Sequence, residues 1–278
     1  MTTILDVLEK GAQFLDSKGI SEARLNIEHL VAHKLECKRM DLYLRFDEPL
    51  SEDILKELRS ILKIRSQNTP LQHIIGVIHF YSHDFKSDKR ALIPRPESEE
   101  LVELAVKADF PTPARILDLG CGSGVLGITI AKALGTKCEQ LVLADLSTDA
   151  LSLAKENAEA LEVEAEFIET DLFSAITGTF DLIVANLPYI GETERTDLSP
   201  EVLHDPEMAL FSGQDGLDLL CRFAAECSAF LNSGGLVALE VGHQQGQAVA
   251  DLLSQAGLSN CEVKSDLSGI ARFPIARK

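Results

Sequence analysis

Residues 116–127 read ILDLGCGSGVLG, and this stretch indicates the fold of the chain. Apolar residues form the end of a predicted strand, and Gly120, Gly122 and Gly124 then turn the chain into a helix. Glycine lets a backbone approach a ligand closely, and the free N–H groups at a helix start attract an anion. The spacing of Gly122, Gly124 and Gly127 also fits the G-x-G-x-x-G pattern of dinucleotide-binding proteins. The stretch therefore predicts a nucleotide-like ligand but leaves the cofactor open.

Predicted strands and helices alternate from residue 115 onward. Alternation of this kind is typical of a doubly wound, mostly parallel sheet with helices on both faces. The last two predicted strands have no helix between them, which predicts an antiparallel hairpin at one edge. The predicted strands are 115–118, 140–145, 165–169, 181–185, 236–241, 262–264 and 271–275, and the predicted helices between them are 124–134, 148–161, 216–231 and 246–256.

The first 68 residues have helical periodicity instead. Apolar side chains recur at three- and four-residue steps over residues 4–15, 25–35 and 54–64. Ser21 is a predicted N-cap of the second of these helices, and Ser51-Glu52-Asp53 begins the third, with its acids at the positive end of the helix. Residues 1–68 are therefore expected to form a small helical domain that recognises the substrate. Residues 71–85 are rich in β-branched and aromatic side chains and predict a hairpin or two short strands. This hairpin would form a linker over 69–90, with the catalytic domain in 91–278.

Charge is distributed unevenly along the 278 residues. The chain has 26 basic and 44 acidic side chains, which give a formal net charge of −18. Residues 1–68 carry 11 of the basic and 12 of the acidic side chains, so nearly all of the excess lies in the remainder. Proteins that hold nucleic acid through phosphate contacts need a positive surface, so the composition argues against direct nucleic-acid binding.

The six cysteines include no C-x-x-C pair, so zinc and thioredoxin-type sites are not expected. Free thiols, an acidic N-terminal segment without a signal-peptide pattern, and the absence of a long apolar run predict a cytoplasmic protein without a membrane span.

A second motif follows the predicted strand at 181–185, namely Asn186-Leu187-Pro188-Tyr189. An amide nitrogen is a poor nucleophile because its lone pair is delocalised, with a rotation barrier of about 18–20 kcal/mol for the peptide case. The side-chain oxygen of Asn186 and a main-chain carbonyl near Pro188 can accept both N–H bonds of an amino or amide group. The turn resembles a motif of amino-group methyltransferases, and this resemblance implies that the lone pair would be directed at a methyl donor while Tyr189 covers the flat amide. A turn that merely ends a strand is the alternative interpretation.

This turn resembles the (Asn/Asp)-Pro-Pro-Tyr motif of S-adenosylmethionine-dependent amino-group methyltransferases. The whole chain resembles the HemK/PrmC-type release factor glutamine methyltransferases. The segments that carry the resemblance appear in the family's order, and they are Leu92–Glu99 (LIPRPESE), Asp118–Gly124, Asp145, Thr170–Phe173, Asn186–Ile190, Asp205–Asp218 and Leu239–Gly246.

The resemblance implies a class I methyltransferase fold, Rossmann-like with a mostly parallel seven-stranded sheet, behind a small N-terminal helical bundle. It implies transfer of a methyl group from S-adenosyl-L-methionine, with S-adenosyl-L-homocysteine as product, to the side-chain amide N5 of the glutamine in the Gly-Gly-Gln motif of class 1 peptide chain release factors. We expect a monomeric enzyme without a metal. The resemblance implies that the catalytic residues are Asn186, Pro188 and Tyr189. The substrate would be bound by these three residues together with Leu187, Pro94, Arg95, Pro96 and Glu97. The cofactor would be bound by Asp118, Gly120, Cys121, Gly122, Ser123, Gly124, Asp145, Asp171, Leu172 and Asn186.

Two departures leave alternatives open. Leu187 replaces the family's Pro, which makes the turn Asn-Leu-Pro-Tyr, as is typical of ribosomal RNA adenine dimethylases; His204-Asp205-Pro206 replaces Tyr-Glu-Pro. An RNA adenine-N6 dimethylase, or a cofactor-binding interaction module that has lost catalysis, therefore remains as an alternative. The acidic charge and the Pro-Arg-Pro-Glu segment favour a protein substrate. Glu240 is interpreted as a solvated acid at a strand end and is not assigned to the site.

Overall fold

The computed structural model describes all 278 residues, which divide into two units. Unit 1 consists of Met1–Val77 together with Ser199–His204, and unit 2 consists of Ile78–Leu198 and Asp205–Lys278. None of the helices is both long and apolar enough to cross a lipid bilayer.

Unit 1 is helical. Its elements are α1 (Ile4–Ser17), α2 (Ala23–Lys34), a 3-10 helix (Arg39–Leu44), α3 (Glu52–Arg65) and the short α4 (Leu71–Ile75). The three helical predictions are confirmed, and α3 begins after Ser51, whose hydroxyl accepts a hydrogen bond from Ile54 N at 3.4 Å. The prediction of Ser21 as an N-cap is wrong, because α2 is preceded by Glu22, whose φ is +50° and whose side chain forms no capping hydrogen bond. The buried faces of α1, α2 and α3 form a single apolar core.

One ion pair in unit 1 joins segments that are far apart in the chain. Arg65 is 2% exposed and donates hydrogen bonds to Asn26 Oδ1 and to Glu201 Oε2, each at 2.7 Å. A buried guanidinium is tolerated only when its N–H groups are paired in this way. This pair therefore holds the segment Ser199–His204 against the end of α3.

The prediction of strand structure from residue 71 is wrong at its beginning. Leu71–Ile75 is the helix α4, which begins after Pro70 and ends at Gly76, where φ is +80°. Proline fits the start of a helix and glycine its left-handed end, and over five residues these two signals outweigh the β-branched composition. The hairpin follows as β1 (Val77–Phe80) and β2 (His83–Lys86).

Unit 2 contains a seven-stranded sheet in the order β5-β4-β3-β6-β7-β9-β8. The strands are parallel except for β9, which pairs antiparallel with both β7 and β8. The predicted α/β fold and the terminal antiparallel hairpin are confirmed. The elements are α5 (Glu97–Lys107), β3 (Ala114–Leu119), α6 (Val125–Leu134), β4 (Cys138–Asp145), α7 (Thr148–Ala160), β5 (Glu166–Glu169), β6 (Phe180–Ala185), α8 (Asp218–Cys227), β7 (Leu231–Leu239), α9 (Gly246–Gln255), β8 (Ser259–Ser265) and β9 (Ala271–Arg277).

The core explains why the central strands read as continuous apolar runs. Alternate side chains of β3, such as Ile116 and Leu117, enter two different apolar clusters on opposite faces of the sheet. Helices α5, α6 and α7 cover one face, and α8 and α9 cover the other. The chain leaves β3 toward β4 on one side and later continues to β6 on the other side. In such sheets the ligand crevice lies at this reversal of strand order.

Candidate functional site

A cavity lies at the carboxyl ends of β3, β4 and β6. It contains most of the residues that the sequence assigned to a cofactor or a substrate. Those that line it are Pro94, Gly120, Cys121, Gly122, Ser123, Asp145, Asp171, Leu172, Asn186, Leu187 and Pro188. Other residues of its wall were not singled out from the sequence, among them Ala91, Leu146 and Leu219.

The glycine-rich loop forms one wall of the cavity. Gly120, Gly122 and Gly124 have φ values of +71°, +55° and +80°, which residues with a side chain rarely adopt. The main-chain N–H groups of Gly120 and Cys121 both donate to Ala144 O, at 2.8 and 3.0 Å. This loop is therefore held against the end of β4 by its own backbone.

Asp145 connects this loop to the end of β4. Its Oδ2 accepts a hydrogen bond from Gly122 N and its Oδ1 accepts one from Ser147 N, each at 2.8 Å. Burial raises the pKa of Asp145 above its ordinary value, and the main-chain donors oppose this effect. A carboxylate placed here can also accept hydrogen bonds from hydroxyl groups of a ligand in the cavity.

Asp118 does not line the cavity, although the sequence placed it among the cofactor-binding residues. Its side chain is fully buried, and Oδ2 accepts a hydrogen bond from Gly127 N at 2.8 Å. Burial raises the pKa of Asp118 to about 7, and the neighbouring charge of Asp145 acts in the same direction. Asp118 therefore stabilises the conformation of the loop and the start of α6 without lining the cavity. Gly124 does not line the cavity either; it packs against Ile128, Ala154 and Leu143.

The segment after β5 forms the opposite wall. Leu172 is buried with φ +48°, and its carbonyl accepts a hydrogen bond from Thr170 Oγ1 at 2.8 Å. A non-glycine residue in this left-handed conformation persists only when its surroundings hold it there. Asp171 is exposed and pairs with Arg222, whose Nη2 lies 2.9 Å from both carboxylate oxygens. Leu172 offers an apolar surface to a flat ring, and Asp171 offers an acceptor beside it.

Asn186 follows β6, and its side chain is the main polar group in the cavity wall near Pro188. Asn186 Oδ1 is buried and accepts no hydrogen bond within the protein. The carbonyl of Pro188 likewise accepts none from the rest of the chain. A buried acceptor without a donor is unfavourable by about 1–3 kcal/mol, so this turn is prepared for a ligand that brings N–H groups.

Glu240 is not the solvated acid that its position at a strand end suggested. It is 1% exposed, and Ser98 Oγ donates to Glu240 Oε2 at 2.6 Å. Its backbone N–H donates to Ala185 O at 3.0 Å, which places Glu240 beside the turn Asn186–Tyr189. Burial raises the pKa of Glu240, while hydrogen bonds from Ser98 and Asn186 and the charge of Arg272 lower it.

Tyr189 is held by residues after β7. Gln245 Nε2 donates to Tyr189 O at 2.9 Å, and Gln245 Oε1 accepts from Gly242 N at 2.9 Å. Burial raises the pKa of Tyr189 to about 12, and Glu240 contributes to this rise. The phenol group of Tyr189 therefore stays protonated and neutral. Gln245, which holds the Tyr189 carbonyl, was not among the site residues predicted from the sequence.

The Pro94–Glu97 segment is only partly at the cavity. Pro94 lines it, whereas Pro96 is exposed. Arg95 Nη2 lies 3.8 Å from Asp205 Oδ2, so its charge is directed at a buried carboxylate. Glu97 raises the pKa of both Tyr189 and Glu240 by its charge. Of this segment only Pro94 lines the cavity, and the charges of Arg95 and Glu97 lie near the turn Asn186–Tyr189.

Leu187 occupies the position where the family motif has proline. It is 4% exposed, and its Cδ2 would lie 2.8 Å from a Cβ on Gly120. The Leu187 side chain fills the space that is open because Gly120 has no side chain. The departure from the motif is therefore accommodated by packing between the turn Asn186–Tyr189 and the glycine-rich loop.

Two family models match the chain. Residues 6–76 match the PrmC N-terminal domain, and residues 98–217 match the Methyltransferase small domain. A methyltransferase from Pyrococcus furiosus has a similar fold, with a TM-score of 0.54 and 16% identity over 71% of this chain and 90% of that chain. A T. thermophilus 16S rRNA methyltransferase solved with AdoMet and guanosine has a TM-score of 0.51 and 19% identity over 73% and 49%.

The sheet order and the cavity at its strand ends, together with these matches, define a Rossmann-like methyltransferase fold. The release factor glutamine methyltransferase of Deinococcus radiodurans is 35% identical over 98% of both chains, and that of Geobacter sulfurreducens is 36% identical over 97% of this chain and 95% of the relative. The chain belongs to the release factor glutamine methyltransferase family.

Proposed function

We propose that this protein transfers a methyl group from S-adenosyl-L-methionine to the side-chain amide of the glutamine in the Gly-Gly-Gln motif of class 1 peptide chain release factors. The observation that carries the proposal is the unpaired acceptor Asn186 Oδ1 beside the free carbonyl of Pro188, at the edge of a cavity behind a glycine-rich loop. Membership of the family supports the choice of substrate.

The cavity suits S-adenosyl-L-methionine in its residue types. Asp145 offers a carboxylate for the ribose hydroxyls, Leu172 an apolar surface for the adenine ring, and Asp171 an acceptor for its amino group. The strained conformation of Leu172 and the positive φ angles of the loop are features typical of built binding sites. When bound, this cofactor supplies a methyl group on a positively charged sulfur, which departs as a neutral thioether.

The chain's own residues orient and activate the acceptor. Asn186 Oδ1 accepts one N–H bond of the glutamine amide and the carbonyl of Pro188 accepts the other, so that the nitrogen lone pair points into the cavity. Both acceptors stabilise the positive charge that develops on the nitrogen as its bond to the methyl carbon forms. Tyr189 covers the amide plane and helps to exclude water. The methylated nitrogen then loses one proton, and because this cation is very acidic no strong base is needed.

Methyl transfer from isotope-labelled S-adenosyl-L-methionine tests the proposal. The acceptors are a purified class 1 release factor, the same factor with the motif glutamine changed to alanine, and ribosomal RNA. We expect label in the first acceptor alone. Label in RNA alone would show an RNA methylase, and no label in any acceptor would show a cofactor-binding module.

The change Asp145→Ala should weaken the binding of the cofactor more than it weakens the binding of the acceptor substrate. It removes an acceptor for the cofactor and also the hydrogen bond to Gly122 N. Loss of hydrogen bonds to a charged group costs about 1.5–3 kcal/mol, which corresponds to about 10- to 100-fold in the Kd for S-adenosylhomocysteine. Isothermal calorimetry measures this Kd; an unchanged value would contradict the role given to Asp145.

We further propose that unit 1 recognises the body of the release factor. Its 3-10 helix exposes Met40, Tyr43 and Leu44, with Leu44 88% exposed. The change Leu44→Ser should raise KM for the intact factor about tenfold, as expected for one apolar contact, without affecting a short Gly-Gly-Gln peptide. Leu267→Ser is the matched control, because Leu267 is equally exposed in unit 2. Equal KM values for the two variants on the intact factor would refute this role.

A further inference from the structure

The carboxyl group of Glu240 is buried beside the catalytic turn, and the reaction as described above makes no use of it. The backbone pairing of β6 and β7 brings it there: Ala185 lies opposite Leu239, and Glu240 N donates to Ala185 O. Because parallel strands end at the same edge of a sheet, the residues that follow them, Asn186 and Glu240, become neighbours.

The side chains of Asn186 and Glu240 differ in the hydrogen bonds that they can form. An asparagine amide has one acceptor, Oδ1, and two donors on Nδ2, whereas an ionised carboxylate can only accept. Asn186 directly follows Ala185, whose carbonyl accepts from Glu240 N, and the Asn186 side chain lowers the pKa of Glu240 as a hydrogen-bond donor does. Asn186 Oδ1 forms no hydrogen bond within the protein. The group that faces Glu240 is therefore the amide N–H, and Ser98 Oγ supplies a second donor to the same carboxylate.

We propose that Glu240 is a positioning residue that fixes the orientation of the Asn186 side-chain amide, so that Oδ1 is kept as the acceptor for the substrate glutamine. If the Asn186 amide rotated by 180°, its donor Nδ2 would face the N–H donors of the substrate, and no hydrogen bond could form. The ionised carboxylate of Glu240 excludes this rotation, because two acceptors, the carboxylate and Asn186 Oδ1, would then face each other. This inference rests on the proposed function for its substrate, but the orientation itself is a property of the free protein.

The charged and titratable groups around Glu240 come from three other elements. Glu97 lies at the start of α5, Arg272 on β9, and Tyr189 on the turn itself. Arg272 Nε donates to Asp266 Oδ2 at 2.6 Å, so its charge is shared between Asp266 and Glu240. At a pH below the pKa of Glu240, the protonated carboxyl can donate, and the constraint on Asn186 is relaxed. At a pH above this pKa, the constraint is in force.

The change Glu240→Gln tests the proposal with almost no change of shape. A glutamine amide can donate or accept, so it permits both orientations of Asn186. We expect kcat on the release factor to fall about 10- to 100-fold, as is typical when a supporting hydrogen bond to a reacting group is lost. The Kd for S-adenosylhomocysteine should change less than about threefold, because Glu240 does not face the cofactor loop. The acidic limb of the wild-type kcat profile should also disappear, because an amide does not titrate.

The matched control is Asp181→Asn, at the opposite end of β6. Asp181 is also buried, and it accepts hydrogen bonds from Arg115 N at 2.9 Å and Asn232 Nδ2 at 2.8 Å. This change should lower Tm but leave kcat and its pH profile as in the wild type. A loss of kcat in Asp181→Asn equal to that in Glu240→Gln would mean that any buried acid of the sheet has this effect, and would overturn the proposal.

A second readout does not depend on catalysis. The side-chain ¹⁵N–¹H signals of Asn186, assigned by their loss in Asn186→Ala, should shift with pH in the cofactor-free wild type and stop doing so in Glu240→Gln. If these signals do not titrate in the wild type, or titrate identically in Glu240→Gln, the proposal is wrong. If they behave as expected while the wild type methylates no release factor, the proposed function fails and the positioning role stands.

Discussion

Asn186→Ala is expected to lower kcat on a release factor about 10²- to 10³-fold, the loss that follows removal of one preorganised hydrogen-bonding group from a transition state. The change removes the buried side-chain acceptor of the turn that has no partner within the protein. It leaves in place the loop contacts of Gly120, Cys121 and Asp145. The Kd for S-adenosylhomocysteine should therefore stay within a few-fold of the wild-type value.

Steady-state kinetics and calorimetry on the same preparation separate these two quantities. Asp145→Ala serves as the counterpart, since it should affect cofactor binding first. A parallel loss of cofactor affinity in Asn186→Ala would show that this residue belongs to the cofactor site instead of the acceptor site. Retention of wild-type kcat would remove the turn from the mechanism.

Gly216→Ala is expected to reduce both stability and turnover. Gly216 has φ +79°, a conformation that costs an L-residue about 1–2 kcal/mol. A Cβ at this position would also overlap the carbonyl oxygen of Tyr189 and lie 2.8 Å from Gln245 Nε2. The turn Asn186–Tyr189 must then move, and a displacement of about 1 Å in a catalytic site can reduce kcat by about 10²-fold.

Gly257→Ala is the matched control for this substitution. Gly257 has φ +85°, but a Cβ there meets no atom within 4 Å. The two variants share the cost of the left-handed conformation, which thermal denaturation measures, and only Gly216→Ala disturbs Tyr189. If the two variants showed the same kcat, the contact between Gly216 and the turn would have no role in catalysis.

The parts of the site that the sequence revealed are local in the chain. The glycine-rich loop and Asn186–Tyr189 each follow a predicted strand directly, and parallel strands bring such ends together at one edge. The residue types of the loop indicated an anion-binding turn, and the resemblance of Asn186–Tyr189 to a known motif indicated a pair of amide acceptors. The strand ends could be inferred because β3, β4 and β6 are continuous apolar runs buried on both faces.

Contacts between distant segments were not predictable in the same way. The burial of Glu240 depends on Ser98 and on the pairing of β7 with β6, and an acid after an apolar strand has the same appearance whether solvated or buried. The carboxylate of Asp118 accepts a hydrogen bond from Gly127 N, a main-chain donor in the first turn of α6 that only the folded β3–α6 connection brings to it. The short helix α4 is another case, since five residues carry too little periodicity to overrule their composition.

Site-resolved mass spectrometry of a release factor incubated with the enzyme and S-adenosyl-L-methionine detects the product of the proposed reaction itself. We expect the added mass of one methyl group on the side-chain amide of the glutamine in the Gly-Gly-Gln motif, and none when the enzyme carries Asn186→Ala. An unmodified glutamine in the wild-type reaction, or a methyl group placed on any other residue of the factor, would refute the proposed methyl transfer.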